Sequence, residues 1–438
     1  MAWQRRLRSA LTEPAYGVSA LRIAVVIILL ISPEMRAAPA LAKAPELLLA
    51  TPRGLGWLAR WHFSPQLVSG VQALAFSAGA TALLGYWSRL SCGVLALTAT
   101  FLLSFTERAG ATWHGMHLLW LLALLAVSRC GDVWSLDAWG LRTPAASLAY
   151  GVPLCGARLL LGAVYFFPGL HKLMSAGLAW GSAENVTAIL HSKWFQHGRL
   201  PPWRIDQAPW LLALGGALVL AFELSFWLLA LIGRTRLLAL AGGLLFHAAT
   251  QLFFFIRFPS LWACYVVLLP WQRTFARYSW AIPGRAPGGT GWPWPSVLVA
   301  AGLLLGAGAA GFRGQTQGFP FACYPTFEGR FSRSAPDLLV ELVDPEGGTV
   351  RLTRPRGEPR SQAEWGQVYW LLGAYGGSPN ERQLRQFAAR QARTAAQRGA
   401  LASARRLRFY AAKYSTDPER WGKPPLRLRL VRELPGAG

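Results

Sequence analysis

Mostly apolar runs of about 17 to 23 residues, the length at which a helix crosses the hydrocarbon core of a bilayer, recur along most of this chain. They fall near 17–33, 68–87, 89–105, 113–129, 152–170, 209–232, 236–256, 258–271 and 293–312. The eighth is short, so a tilted or re-entrant segment is expected there. With 53% hydrophobic residues and 21 tryptophans in 438 residues, the chain reads as an all-α polytopic membrane helix bundle of about eight to nine spans. The first run follows a basic segment, "MAWQRRLRSALTEPAYG", with no small-residue cleavage site after it, and is expected to stay as a span rather than be removed as a signal peptide.

The net charge of +24 would suggest nucleic acid in a soluble protein. Here the arginines sit between apolar runs and in the C-terminal tail, so membrane topology and anionic lipid account for them, and the lipid bilayer is the expected partner. If Arg5, Arg6 and Arg8 hold residues 1–16 in the cytoplasm, then "WSRLS", "SRCGDVWSLDAWGLR", "IGRTR" and "WQRTFARYSWAIPGR" face the same side, each carrying arginine as the positive-inside rule asks. Nine spans then place the chain's end outside, in the periplasm if the membrane is a bacterial inner membrane or in an organelle lumen. Cys92, Cys130, Cys155, Cys264 and Cys323 form no CxxC pair, so neither a metal centre nor a disulfide framework is indicated.

Residues 313–438 change character, with 21 Lys+Arg against 11 Asp+Glu, a net of +10. "DLLVELVDPEGGTVRLTR" predicts a hairpin, "SPNERQLRQFAARQARTAAQRGA" a basic helix capped at Ser378 or Asn380, and "RRLRFYAAKY" and "LRLRLVREL" two edge strands. Three domains follow: the basic cytoplasmic segment 1–16, the transmembrane domain 17–312, and a small basic α+β extramembrane domain, 313–438. The last either rests on anionic headgroups, meets an acidic partner, or is a solvated basic face.

On this topology the histidines His62, His114, His117, His171, His191, His197 and His247 all fall in outer loops or the outer halves of spans. His114 opens the fourth span, His171 and Lys172 close the fifth, and His247 lies in the seventh. Each has a plain alternative. Lys172 at a span end is either a snorkelling anchor, whose loss would cost little stability, or part of a site. His114, in "ATWHGMHLL", either caps a helix beside Trp113 or takes part in chemistry. His247 sits inside "LLALAGGLLFHAATQLFFF" and needs a buried partner, which favours function. Glu223, in "ALVLAFELSFWLLAL", is expected to pair structurally with Arg158 or with an arginine of "GRTR". An amine taken out of water becomes able to act as a base, and nearby histidines donate to the oxyanion it creates. An amphipathic acid with its tail in the bilayer, such as a quinol, suits such a base.

These residues carry a resemblance. "GARLLLGAVYFFPGLHKL", with Arg158 fourteen positions before Lys172, resembles the corresponding segment of the vitamin K-dependent gamma-glutamyl carboxylases and their bacterial relatives, which carry the horizontally transferred transmembrane (HTTM) domain. "TWHG" followed by "SRCGDVWSLDAWG", "FELS" with His247 24 positions after Glu223, and the opening "SALRIAVVIILL" are similar to further segments of that family. The similarity spans roughly residues 15–280 and rests on order and spacing rather than on any one motif.

The resemblance implies a membrane enzyme with Lys172 as the base and His114 and His247 as oxyanion donors. His171, Arg158, Trp113 and Tyr165 would line the quinol site, and Glu223 and Asp137 would be structural polar groups within the membrane. It implies a reduced naphthoquinone (vitamin K hydroquinone or menaquinol), O2 and CO2 as cofactors and co-substrates, and glutamyl carboxylation of an exported peptide or protein. Two features depart from the animal enzymes: His171 stands where they have a second lysine, and only about 125 residues follow the last span. The competing reading is a non-catalytic quinone- or lipid-binding or scaffold protein that makes no use of Lys172. A transporter is less supported, since no inverted repeat is visible.

Overall fold

The computed structural model describes residues 2–43, 63–108, 114–141, 143–271, 291–315, 318–322, 327–352, 367–368, 371–372, 380–392 and 394–436. Trp113, His62, Cys323 and Ser378 lie outside the described residues. Two compact units emerge, one comprising residues 1–177, 218–248 and 257–328, the other residues 178–217, 249–256 and 329–438.

The first unit is helical. Among the described residues, six helices are long and apolar enough to cross a membrane: α4 (Pro65–Leu84), α5 (Ser88–Arg108), α7 (Leu148–Ala176), α9 (Pro209–Leu231), α10 (Arg236–Phe254) and α12 (Trp294–Phe312). A seventh arises if α2 (Tyr16–Ile31) and α3 (Pro33–Leu41) count as one span bent by 42°. The bend falls where Pro33, which has no N–H, interrupts the ladder. Two of the nine expected spans are shorter helices. The expected fourth is the 11-residue α6 (Met116–Ala126), and the expected eighth is α11 (Pro259–Cys264) followed by a 3-10 turn, Tyr265–Leu268. At 1.5 Å per residue each is about 16 Å long, half a hydrocarbon core. Both are nevertheless buried among the longer helices, the one setting in which short or broken helices persist at membrane depth.

Side-chain contacts tie the helix ends together. At one end, called here the arginine end, Arg22 donates to Ser88 Oγ and the Trp134 carbonyl, and Arg89 Nε to the Ser128 carbonyl. There too Glu13 bridges Arg158 and Arg236 at 3.0 and 2.7 Å. The pairing expected between Glu223 and these arginines is replaced by Glu13, which reaches them because Glu13 and Ser147 bond backbone to backbone beside the start of α7. Asp137 also lies at this end, in a 3-10 turn (Leu136–Ala138), where it accepts from Trp87 N, Ser88 N and Ser88 Oγ, each at 2.8 Å. Burial pushes its carboxyl up, but the Ser88 and Trp87 donors outweigh that and hold it below its ordinary value. It anchors the start of α5 from a loop, not from within a span.

In the second unit, α8 (Ala183–His197) is capped by Ser182 and ended by Gly198 at φ 62°, and packs Val186, Leu190 and Trp194 against Leu212. Asn185 Oδ1 accepts from Phe331 N at 2.8 Å, tying α8 to the chain entering the sheet. The sheet has strand order β2-β1-β3-β4, all antiparallel, with β1 Ser334–Val343, β2 Thr349–Leu352, β3 Arg406–Ser415 and β4 Arg427–Pro435. The predicted hairpin is β1-β2. The single predicted helix is two, α13 (Glu381–Gln391) and α14 (Ala395–Ser403), each with its own capping box, at Asn380 and Thr394. β3 is central rather than an edge strand. Its Leu407 and Phe409 enter the core while Arg406 and Arg408 meet Glu433, and Arg408 also Glu341, across the strands.

Candidate functional site

Helix α7 is the most enclosed long helix, with 67% of its span buried. A row of glycines lets its neighbours come close: a Cβ on Gly162 would lie 2.6 Å from Trp227 Cβ, one on Gly169 2.8 Å from Glu223 Cβ, and one on Gly156 2.9 Å from Ala300 Cβ. Small residues at such contacts allow helices to pack backbone to backbone in lipid. The consequence at Gly169 is chemical, because it brings Glu223 of α9 against the last turns of α7.

There Lys172 Nζ meets Glu223 Oε1 at 2.5 Å, with side chains only 5% and 4% exposed. The lysine expected at the membrane surface is thus enclosed, drawn inward by a carboxylate whose second oxygen, Oε2, is buried with no hydrogen-bond partner among the described residues. Two turns earlier on α7, Tyr165 Oη bonds His247 Nε2 of α10 at 2.8 Å and also makes a short hydrogen bond with Tyr265 Oη. Gly243 of α10 leaves the space that the Tyr265 ring occupies. Phe246, Phe258 and Trp262 enclose the His247 ring, with centroids 5.2 to 6.0 Å away. His117 of α6 is wholly buried and lies within electrostatic range of His247, while Glu223 lies within range of Tyr165. Five helical elements therefore contribute to what is called here the enclosed polar chain: two hydrogen-bonded clusters, Lys172–Glu223 and His247–Tyr165–Tyr265, with His117 buried nearby.

Of the residues expected from sequence, Lys172, His247, Tyr165 and Glu223 are brought together. His171 is beside them in sequence but turns to α12, where its Nε2–H donates to the Gly311 carbonyl at 2.7 Å. Arg158 is fourteen residues from Lys172, about 21 Å along the helix, and its guanidinium is engaged by Glu13 and the Val267 carbonyl. His114 is exposed in the turn before α6. Asp137 belongs to the arginine end. Sequence reasoning passed over His117, although the argument applied to His247, a histidine within an apolar run, holds for "MHLLWLLALLA" as well. Tyr265 and Glu13 carried no comparable signal.

What this arrangement can do is hold and move a proton away from water. The Lys172–Glu223 pair is neutral as a unit, and accepting one proton makes it cationic. Among the described residues no three His, Cys, Asp or Glu side chains form a metal cluster.

No curated protein and no solved structure matches the chain. The model of the HTTM domain matches residues 53–280, which contain all six members of the enclosed polar chain. That match spans just over half of the sequence, and the protein belongs to the HTTM domain family.

Proposed function

We propose that the protein is a membrane enzyme that takes a proton from a lipid-borne quinol at the Lys172–Glu223 pair. The observation that carries this reading is a lysine and a carboxylate enclosed together in an apolar bundle, with Glu223 Oε2 left as a buried acceptor. The occurrence of the HTTM domain in vitamin K-dependent carboxylase-like membrane proteins supports it. Glu223 Oε2 is the acceptor for an acidic hydroxyl. Once the pair has taken the proton, the Lys172 ammonium supplies the charge that balances the resulting anion. Tyr165, two turns before Lys172 on α7, and His247 of α10 stand as a further hydrogen-bonding pair.

A reduced naphthoquinone, vitamin K hydroquinone or menaquinol, would give four electrons to O2, two from the hydroquinone and two from the ring double bond, so that one oxygen atom ends in the epoxide and the other in water; with CO2 present, the base generated would serve to carboxylate a glutamyl group of an exported peptide. The donor and acceptor set fits such a hydroxyl. The void of about 10 Å³ lined by Ala163, Val164 and Phe167 of α7, with Trp120 and Ala307, holds no more than a water. We place the arginine end at the cytoplasm and residues 313–438 outside, following the positive-inside rule.

The test is epoxide formation by the protein in nanodiscs supplied with reduced menaquinone or vitamin K and oxygen. Quinol-dependent epoxide above the rate of empty nanodiscs is expected. Its absence with both naphthoquinols would favour the non-catalytic binding reading.

A further inference from the structure

The arginine end holds a cavity of about 540 Å³, lined by Trp87, Ser88, Arg89, Arg129, Asp132 and Asp137 among others. That volume is in the range of small-molecule sites. Its charges are not equally committed. Asp137 is saturated by three donors, and Asp132 accepts from Arg129 Nε at 2.6 Å and from the Tyr150 hydroxyl at 2.5 Å. Arg89 spends only Nε, on the Ser128 carbonyl at 2.9 Å, which fixes the guanidinium and leaves its two Nη groups without a partner among the described residues. The lining carries two guanidiniums against two carboxylates, and behind it the buried Arg22, which donates to Ser88 Oγ and the Trp134 carbonyl, adds a third guanidinium. The rim is apolar and exposed: Trp87 is 63%, Leu90 59% and Leu141 57% accessible. Leu90 stands in the first turn of α5, a span, so this rim lies where acyl chains begin.

From this juxtaposition we infer that the cavity at the arginine end is a binding site for the phosphate of an anionic phospholipid, held by Arg89 and Arg129 with its acyl chains against Trp87, Leu90 and Leu141. A guanidinium fork matches a phosphodiester through paired N–H···O bonds. A soluble phosphate would use the arginines alone and leave the rim unused. This site is separate from the enclosed polar chain and does not depend on its chemistry.

The test titrates detergent-solubilised protein with short-chain phosphatidylglycerol, phosphatidylcholine of the same chain length, and inorganic phosphate, read by native mass spectrometry. Phosphatidylglycerol is expected to bind at least tenfold more tightly than either of the others. The Arg89→Gln/Arg129→Gln variant should bind phosphatidylglycerol and phosphatidylcholine alike. Leu90→Ser, at an exposed position, should weaken phosphatidylglycerol binding and leave inorganic phosphate unaffected. Equal binding of the two lipids by the unsubstituted protein would overturn the inference, as would a preference for phosphatidylglycerol that survives the double substitution. Inorganic phosphate binding as tightly as phosphatidylglycerol would show a site for soluble anions instead.

Discussion

Removing Lys172 tests whether it is a surface anchor or half of an enclosed pair. An interfacial lysine is dispensable for stability, whereas this one is 5% exposed and 2.5 Å from a carboxylate that is 4% exposed. Lys172→Met leaves Glu223 buried without its cation, and breaking such a pair by removing one partner costs about 3–5 kcal/mol. Glu223→Gln should cost a similar amount by stranding the ammonium. Replacing both at once removes the two desolvation penalties with the attraction, so the double variant should lie within about 1 kcal/mol of the parent. The expected coupling is therefore several kcal/mol, beyond what independent sites show. Reversible unfolding in mixed micelles by denaturing detergent, followed by tryptophan fluorescence, gives all four values. A double variant as unstable as the sum of the singles, or a Lys172→Met protein as stable as the parent, would refute the reasoning.

Glu13→Gln should destabilise by a comparable 3–5 kcal/mol, since it leaves both Arg158 and Arg236 unanswered. In the same micelle titration its effect should add to that of Lys172→Met within about 0.5 kcal/mol, because the two clusters are far apart along α7. In the second unit, burial raises the Asp206 carboxyl, but Arg204 and His191 together more than offset this and hold it below its ordinary value. The stability it contributes is present above the ordinary carboxylate range and is lost as pH falls below about 4. Hydrogen exchange of α8 amides should therefore accelerate in that window, and Asp206→Asn should remove the acid-dependent component. Epoxide formation should fall by at most about 10²–10³ in His247→Ala, as for one oxyanion donor, and stay within about twofold in His114→Ala, which alters an exposed turn. Asn380→Ala should cost about 0.5–2 kcal/mol through loss of the α13 cap, measurable by thermal unfolding.

What was legible in the sequence follows from what kind of signal each element leaves. Long apolar runs mark helices whatever their neighbours, so α4, α5, α7, α9, α10 and α12 were all anticipated. That two of the apolar runs fold as short helices is not legible, because apolarity reports burial, and a segment buried by protein reads like one buried by lipid. Lys172, Glu223 and His247 stood out because charge within an apolar run has to be answered by a partner. Which partner was not legible: the sequence offers Glu223 arginines and a lysine on other spans, and the glycine-lined approach of α9 to α7 sets it against Lys172. His114 was preferred to His117 because of the motif around it, while burial favours His117. In the second unit, arginine-rich β3 resembled an edge strand because the glutamates that neutralise it, Glu341 and Glu433, come from other strands.

The central claim is that the Lys172–Glu223 pair performs the chemistry, and the variant that best isolates this is the one expected to keep its fold, Lys172→Met/Glu223→Gln. The direct measurement is its rate of epoxide formation from reduced naphthoquinone and oxygen in nanodiscs, beside that of the parent protein. Loss of the general base predicts a fall of about 10²–10⁴ in rate in a protein whose unfolding midpoint is close to that of the parent. Epoxide formed at the parent's rate by the folded double variant would contradict the account.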